Sequence, residues 1–408
     1  MSRGPKEAPS GAFPAIVVVL LVGVAALTRA PALIVAAAGA VVAWAVVFVT
    51  GRLALIGVEA TVAIEPVRLQ AGETLTAVVT IVNRKPIPMP WLDLRLGLPD
   101  GIEAAGVAPG SPRQHVGAGF APRGHERAVL RFPLLAPQRG AHAIGPLRVR
   151  AGDWLGFSQV ERTLAIEVQA IVYPAPLAVR DRHRPSLRPI AETAVRRGLL
   201  PDPLRFRGVR EHRAGDPRKE IHWKASARLR ELHTKVYEPA TSLDAIFLLN
   251  VASYEQFWIQ ADPEATEIVI AATAELARLA AEAGRQVGLV TNGLDNLTHE
   301  RPRSALGRGP RPLRRTLDIL ARLGPYAAAS AEAVFLRERG RFPWGATLVL
   351  VTPKLGPELA AACVSLRRSG HRVLALSIGP PAATVSAQLR QHDITLDDLR
   401  PSRWREVG

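Results

Sequence analysis

The chain begins with two uncharged apolar stretches, and beyond them apolar and polar residues alternate in shorter runs. The two stretches cover residues 11–28 and 32–50 and contain eighteen and nineteen residues. Each approaches the roughly 20 apolar residues that a helix needs to cross a bilayer core. Only a short turn around Arg29 separates them. The pattern therefore predicts a transmembrane helical hairpin over residues 1–52, with both ends of the hairpin on one side of the membrane.

The charges that flank the hairpin predict its orientation. Arg3 and Lys6 precede it, Arg52 follows it, and Arg29 is the one charge in the turn. By the positive-inside rule, both termini and the soluble domains should lie in the cytoplasm. A cleaved signal peptide is the alternative for the first stretch, but a second apolar stretch directly behind it argues against cleavage. We expect a multi-pass protein of the inner or plasma membrane, with the lipid bilayer as a partner.

From residue 57 to 175, apolar residues recur at every second position in short runs bounded by Gly, Pro or Asn, which is typical of strands. Six or seven strands at this spacing predict a β-sandwich. Three prolines, Pro86, Pro88 and Pro90, favour a loop between two of the strands. The runs cover residues 58–67, 73–84, 91–99, 125–135, 140–152 and 162–174.

Over residues 241–400 the pattern changes to strands that alternate with helices. Such alternation predicts an α/β domain with helices on both faces of its sheet. Ligands of such sheets usually lie at the carboxyl ends of the strands. The strands are predicted at residues 243–251, 285–293, 346–353 and 371–379, and the helices at 266–284, 314–323 and 356–370.

Charge is unevenly distributed along the chain, whose formal net charge is +16. Residues 180–240 hold sixteen Lys and Arg against eight Asp and Glu. Such fields favour anionic lipid, nucleic acid or an acidic protein surface. The alternative explanation is that Arg is enriched over the whole surface of the protein and indicates no particular partner. A second cationic run contains Arg301, Arg303, Arg308, Arg311, Arg314 and Arg315.

Cys363 is the single cysteine, so an intrachain disulfide is excluded. It lies in an apolar run of a predicted helix, and we expect it to be a buried core residue.

The densest group of cations lies at residues 205–240, after a connector rich in Pro and Arg at 176–204. Asp216 followed by Pro217 favours a helix start, because Asp accepts a terminal N–H and Pro loses no bond in the first turn. We expect this helix to run to about Arg228. A strand is predicted after it, from Leu232 to Tyr237.

This block resembles the signature of the bacterial family called domain of unknown function fifty-eight. That signature is an Arg-Glu-Tyr-x-x-Gly-Asp turn, then Ile-His/Asp-Trp-Lys-x-x-Ala-Arg, then a strand that ends in an acidic residue. His212 takes the place of the Tyr. The matching residues are Arg210, Glu211, Gly215, Asp216, Ile221, His222, Trp223, Lys224, Ala227, Arg228 and Glu238.

The resemblance implies an immunoglobulin-like β-domain followed by a von Willebrand factor A-like domain. Metal-binding domains of that type carry Asp-x-Ser-x-Ser after the first strand, and these oxygens suit Mg²⁺. This chain has Asn250, Ala252 and Tyr254 at those positions, and Lys354 follows a later strand. We therefore expect a degenerate site that holds no metal, and no cofactor.

Three hypotheses compete for the block at 205–238. His212, His222 and His233 could bind a metal, although their wide spacing and the neighbouring cations oppose it. The block could bind phosphate or nucleic acid with Trp223 stacking on a base, although it has no Walker-type loop. The favoured hypothesis is a structural network of Asp216, Arg210 and Arg228 that locks the block to the next domain, or a docking face for a protein. Under this hypothesis, Trp223 anchors the helix in the core.

The sequence offers no nucleophile beside a base, no motif of paired carboxylates and no phosphate-binding loop, so we expect no enzymatic activity. The family resemblance implies a partnership with MoxR-type AAA+ ATPases. The chain is therefore expected to be a membrane-anchored adaptor or scaffold in the assembly or maturation of membrane or envelope components. The alternative is a polyanion or nucleic-acid binding protein that uses the block at 205–238, with nucleic acid the less favoured partner.

Overall fold

The structure, a computed structural model, describes residues 6–7, 12–106, 114–153, 159–176, 201–213, 220–239, 244–254, 258 and 260–399. The chain forms two compact units, residues 1–175 and 176–408. Each unit has its own core and is described by itself.

Unit 1 contains two apolar helices that contact each other, α1 (Ala12–Thr28) and α2 (Pro31–Arg52). Arg29 between them adopts a left-handed conformation with φ 51°, and Pro31 begins the second helix. Most large side chains of both helices point outward; Leu27 is 86% exposed and Val35 is 73% exposed. Water does not favour apolar surface of this extent. Within the described chain, α2 is long and apolar enough to cross a membrane, and α1 is shorter.

The end of α2 is fixed by a lysine from the body that follows. The ammonium group of Lys85 donates to the carbonyl oxygens of Leu53 at 2.7 Å and Ala54 at 2.6 Å. Partial burial lowers the pKa of this amine. The guanidinium of Arg52 lies 4.9 Å from the centroid of the Phe48 ring. A cation at a helix C-terminus satisfies carbonyl groups that have no partner within the helix.

The rest of unit 1 is built of short strands around one apolar core. Strands of three sheets and the residues after α2 contribute to this core, which includes Leu55, Ile64, Leu92, Leu134 and Ile144. The sheets have the orders β1-β11-β10-β5-β7, β3-β12-β9 and β2-β4-β8-β6, with β3 and β12 parallel and the other pairs antiparallel. The strands are β1 (Lys6–Glu7), β2 (Val58–Glu65), β3 (Arg68–Gln70), β4 (Thr74–Asn83), β5 (Leu92–Gly97), β6 (Glu103–Ala104), β7 (His115–Phe120), β8 (Arg127–Leu135), β9 (Gly140–Ile144), β10 (Leu147–Gly152), β11 (Gln159–Leu164) and β12 (Val168–Tyr173).

Two of the predicted strands are each two strands in the structure. The run at 140–152 divides at Gly145 and Pro146, and the run at 162–174 divides between β11 and β12. Both breaks separate strands that belong to different sheets. The loop predicted around Pro86, Pro88 and Pro90 is present between β4 and β5.

The first described elements of unit 2 form a two-stranded antiparallel ribbon, β13 (Pro201–Glu211) and β14 (His233–Pro239), with the helix α3 (Trp223–Leu229) between its strands in sequence. An α/β domain follows. Its strands are β15 (Asp244–Leu249), β16 (Gln286–Thr291), β17 (Gly293–Asp295), β18 (Arg303–Gly307), β19 (Leu323–Ala327), β20 (Thr347–Thr352), β21 (Arg372–Ser377) and β22 (Thr395–Asp398). Its helices are α4 (Pro263–Glu282), α5 (Pro310–Arg322), α6 (Ala331–Glu338), α7 (Pro357–Arg368) and α8 (Ala383–Gln391).

The main sheet of unit 2 has the order β18-β16-β15-β20-β21-β22, in which β18 alone is antiparallel to its neighbour. Ile246 and Leu248 of β15 share a core with α6, α7 and α8. Phe247 and Leu249 point the opposite way and are just as buried, so the sheet is covered on both faces. Since the chain adds strands first on one side of β15 and then on the other, the topological switch point lies between β15 and β20.

Candidate functional site

The signature residues lie on the ribbon and on α3, which the structure joins into one small unit. Arg210 is in register with Thr234, and Glu211 with His233. The N–H of His212 donates to Leu232 O at 2.7 Å. Strand pairing thus brings both ends of the signature together, although more than twenty residues separate them in sequence.

The helix α3 starts later than Asp216, the start that the sequence predicted. His222 is its N-cap: its ring Nδ1 accepts from the N–H of Ala225 at 3.0 Å. Ile221, one residue earlier, is buried and forms an isolated bridge with Thr234. A residue held in strand-like pairing cannot continue a helix, so α3 begins at Trp223.

The buried hydroxyl of Ser226 fastens α3 to the ribbon. Ser226 Oγ accepts from the N–H of His233 at 2.9 Å and donates to His222 O at 3.1 Å. A second buried hydroxyl, that of Thr234, lies 2.9 Å from His212 Nδ1 and joins the two sides of the ribbon. Trp223, Lys224 and Arg228 of α3 are exposed.

The expectation that Trp223 anchors the helix in a core is wrong, because Trp223 is 68% exposed. The side of α3 that meets the ribbon is occupied by Ser226 instead. Arg210 and Arg228 are exposed as well, and their network with Asp216 stays a prediction. Gly215 and Asp216 lie outside the described residues.

The three histidines serve the local fold. His212 contacts Thr234, His222 caps α3, and His233 Nδ1 lies 2.9 Å from Glu231 O. Among the residues that the structure describes, no group of three or more His, Cys, Asp or Glu side chains is placed to hold a metal ion. Lys224 and Arg228 lie one turn apart on the exposed part of α3.

A second candidate site lies at the switch point of the main sheet, where Asn250 follows β15. Its Nδ2 donates to Thr352 Oγ1 at 2.9 Å and to Ala252 O at 3.1 Å. Its Oδ1 accepts from the N–H of Ala252 at 2.9 Å and from Asn292 Nδ2 at 2.8 Å. Asn250 is 5% exposed, while Asn292 and Thr352 are 0% exposed. One amide thus links the carboxyl ends of three neighbouring strands.

The other members of this network are satisfied as well. Asn292 Oδ1 accepts from the N–H of Val251 at 3.0 Å, and Thr352 Oγ1 donates to Lys354 O at 2.7 Å. The hydroxyl of Ser253, further along the loop, is shielded and has no hydrogen-bond partner among the described residues. Tyr254 is 42% exposed.

The switch-point residues do not fit a divalent cation. Mg²⁺ and Ca²⁺ favour carboxylate oxygens, whereas Asn250, Asn292 and Thr352 offer amides and a hydroxyl that are already bonded to one another. An ion placed among them would have to displace hydrogen bonds in a buried setting.

Sequence reasoning missed Asn292, Ser226 and Thr234. Asn292 follows a predicted strand just as Asn250 does, so polar residues at the ends of neighbouring parallel strands were an available signal. The roles of Ser226 and Thr234 depend on the fold of the ribbon, and the sequence carries no comparable signal for them.

Comparison with known proteins adds a family and one curated relative. Residues 208–385 match the family model described as "Protein of unknown function DUF58". Over 236 residues the chain is 27% identical to "Uncharacterized protein YeaD" of Bacillus subtilis (strain 168). The alignment covers 55% of this chain and 54% of that protein. The chain thus spans about half the length of this relative.

Among solved structures, the sporulation control protein Spo0M from Bacillus subtilis is 13% identical, over 36% of this chain and 58% of that chain, with a TM-score of 0.19. A non-cellulosomal cohesin from Archaeoglobus fulgidus is also 13% identical, over 31% of this chain and 96% of that chain, again with a TM-score of 0.19. Scores this low carry no argument about fold or function. The family model and YeaD confirm the family that the signature predicted: residues 208–385 match the DUF58 family, whose function is unknown.

Proposed function

We propose that the chain is a non-enzymatic, membrane-anchored adaptor, and that the exposed face of α3 is its docking face for a protein. The observation that carries this proposal is Trp223, which is 68% exposed on a helix whose underside is fastened by Ser226. Tryptophan is among the residue types enriched in the energetic centres of protein interfaces. Local hydrogen bonds hold α3, so the backbone that carries the indole is ordered before a partner binds, which lowers the entropic cost of binding.

The charges around Trp223 specify the chemistry of the partner. Lys224 and Arg228 are exposed at positions i and i+4, where like charges repel each other. An acidic surface across the interface would remove that repulsion. The proposed partner therefore offers an apolar pocket with carboxylates at its rim. On the family resemblance, we propose that this partner is a MoxR-type AAA+ ATPase.

The switch point supports a role without catalysis. In sheets of this topology it is the usual place for ligands, and here Asn250, Asn292 and Thr352 fill it with mutual hydrogen bonds. None of the three side chains titrates near neutral pH, so none is a general acid or base.

The finer architecture is part of the proposal. The exposed apolar surfaces of α1 and α2 support a two-span anchor, with the soluble domains in the cytoplasm. The shared core of the three small sheets supports an immunoglobulin-like sandwich. The strand order of the main sheet supports a von Willebrand factor A-like domain. Orientation is tested by fusing a reporter that is active only outside the cytoplasm to Gly408; strong activity would contradict it.

Crosslinking of the full chain in native membranes tests the docking face, with crosslinked proteins identified by mass spectrometry. We expect a MoxR-type ATPase with the unaltered chain, and its loss in Trp223→Ala with unchanged melting. The matched control is Trp258→Ala, because Trp258 is 69% exposed in the same unit. Equal recovery of the ATPase from both variants, or none from the unaltered chain, would contradict the proposal.

The alternative is that the same exposed residues bind nucleic acid. Trp223 beside Lys224 and Arg228 has the parts of a single-strand contact, a stacking surface with cations. Oligonucleotide binding that falls steeply with salt, and falls further in Trp223→Ala, would favour this alternative over the adaptor.

A further inference from the structure

An arginine-lined cleft of about 440 Å³ lies in the α/β domain. Its carboxylates are Asp295, Glu300 and Asp318, so its cations exceed its anions by two to one. The cleft lies apart from α3 and from the switch-point amides, none of which lines it. Its six arginines are Arg301, Arg303, Arg311, Arg314, Arg315 and Arg322.

One wall is held in place from behind by Glu338. This carboxylate is 8% exposed and lies 3.8 Å from Arg301, 3.4 Å from Arg303 and 2.8 Å from Arg341. Burial alone would raise the pKa of Glu338, but the Arg341 hydrogen bond and the three positive charges outweigh it and hold this pKa below its ordinary value. The charged carboxylate thus positions two of the cleft arginines.

The other wall is one face of α5. Positions 311, 314, 315, 318 and 322 recur at helical spacing and all line the cleft. Arg322 Nε lies 3.0 Å from the carboxylate of Asp295, which is 2% exposed. In the part of the chain that the structure describes, Arg311, Arg314 and Arg315 are exposed and make no ion pair. The first turn of α5 has no acidic residue to offset them.

We propose that this cleft binds a small ligand that carries two or more phosphate groups. Guanidinium groups bind phosphate with paired, charge-assisted hydrogen bonds. The three arginines of α5 without an ion pair and the two held by Glu338 together supply more hydrogen-bond donors than one phosphate accepts. The volume suits a small molecule. Among the described residues no aromatic side chain lines the cleft, so it lacks the aromatic stacking surface that single-strand binders use. Glu300 and Asp318 interrupt the cationic surface, which does not continue as the track that a nucleic-acid strand follows.

Calorimetry with inorganic tripolyphosphate and the full chain in phosphatidylcholine nanodiscs tests the proposal. We expect saturable binding that weakens by about tenfold or more in the double variant Arg311→Gln, Arg315→Gln, because charge-assisted bonds are lost. Arg308→Gln is the matched control: Arg308 belongs to the same cationic run and is exposed, but it does not line the cleft. Equal melting temperatures verify that the variants fold.

Two outcomes would overturn the proposal: no saturable binding of tripolyphosphate, or equal weakening in Arg308→Gln, which would indicate diffuse attraction. Nanodiscs with added phosphatidylinositol bisphosphate, a lipid whose headgroup carries several phosphates, identify the source of the phosphates. If tripolyphosphate binding by the unaltered chain weakens there, and more than in the double variant, a lipid headgroup occupies the cleft. If it does not weaken, the ligand is a soluble phosphate compound.

Discussion

Replacing Asn250 tests whether the switch-point network fixes the domain. In Asn250→Ala, Thr352 Oγ1 still donates to Lys354 O, and Asn292 Nδ2 still donates to Ala329 O at 3.2 Å. The N–H and the carbonyl of Ala252 lose the side chain that bonds them both. A buried polar group without a partner costs about 1–3 kcal/mol. We therefore expect a loss of about 2–4 kcal/mol in the local free energy of opening.

Asn250→Asp should cost at least as much at neutral pH. The new carboxylate keeps the two donors that Asn250 Oδ1 accepts from, but its other oxygen faces the carbonyl of Ala252, which lies 3.1 Å from the amide nitrogen that it replaces. An unpaired buried charge typically costs about 3–5 kcal/mol. Millimolar Mg²⁺ should not restore stability, because Asn292 and Thr352, the described side chains bonded to this position, carry no carboxylate.

Hydrogen exchange measured by mass spectrometry suits a chain of two units, for which one melting temperature does not define a free energy. A loss of 2–4 kcal/mol predicts about 30- to 700-fold faster exchange in peptides from β15, β16 and β20. Peptides from β4 in unit 1 are the internal reference. Asn296→Ala is the control variant, because Asn296 is exposed in the same domain and should change stability by less than about 0.5 kcal/mol.

Unchanged exchange in Asn250→Ala would show that the network is incidental. Protection of Asn250→Asp by Mg²⁺, or a single-site Mg²⁺ isotherm with the unaltered chain, would show that this place is a metal centre after all.

Three further outcomes are expected. Ser226→Ala should speed exchange at the N–H of His233 by about tenfold or more, since that N–H loses its partner, whereas Ala227→Ser on the exposed side should not. The stability that ionised Glu338 provides is present above its ordinary pKa of 4.5 and is lost as the pH falls through its lowered folded pKa. Glu338→Gln should therefore reduce the difference in α6 stability between pH 6 and acid, measured by hydrogen exchange. An unchanged difference would contradict this prediction. Burial raises the pKa of the Cys363 thiol to about 12, so a thiol reagent at neutral pH should label the chain only after denaturation; rapid labelling of the native chain would contradict the buried position.

Long helices and buried strands in which apolar residues recur at a regular spacing were predictable from the sequence, and short elements were not. The helix at 263–282 and the buried strands β15, β16, β20 and β21 follow from apolar spacing alone. By contrast α8 has nine residues, of which Val385 and Leu389 are buried. Two apolar residues one turn apart are too weak a pattern to separate a helix from a loop. Cys363 was correctly assigned to the core, where it is 2% exposed, since a whole apolar run surrounds it.

The candidate site divides in the same way. Asn250 was identifiable because it takes the place of an expected carboxylate, but its bond to Asn292 depends on β16 lying next to β15, which periodicity does not specify. Trp223 was misplaced for a related reason. Large aromatic residues are buried in most helices, and only the pairing of Ile221 with Thr234 turns this helix so that Ser226 faces the ribbon.

The three features described for unit 2 lie within residues 208–385, the part that matches the family model, and each answers a different physical demand. The switch-point amides are uncharged and mutually satisfied, which favours one rigid arrangement over ligand exchange. Trp223 is the opposite case, an apolar side chain left in water on a fixed helix. In the cleft at α5, Arg301, Arg303 and Arg322 are paired with buried carboxylates. The other arginines of α5 that line the cleft have no such partner among the described residues. Sequences generally satisfy such local rules, and the places that break them are where function is expected. By that reasoning, α3 and the arginine cleft are the proposed binding places, and the amide network at the switch point is where the domain is held together.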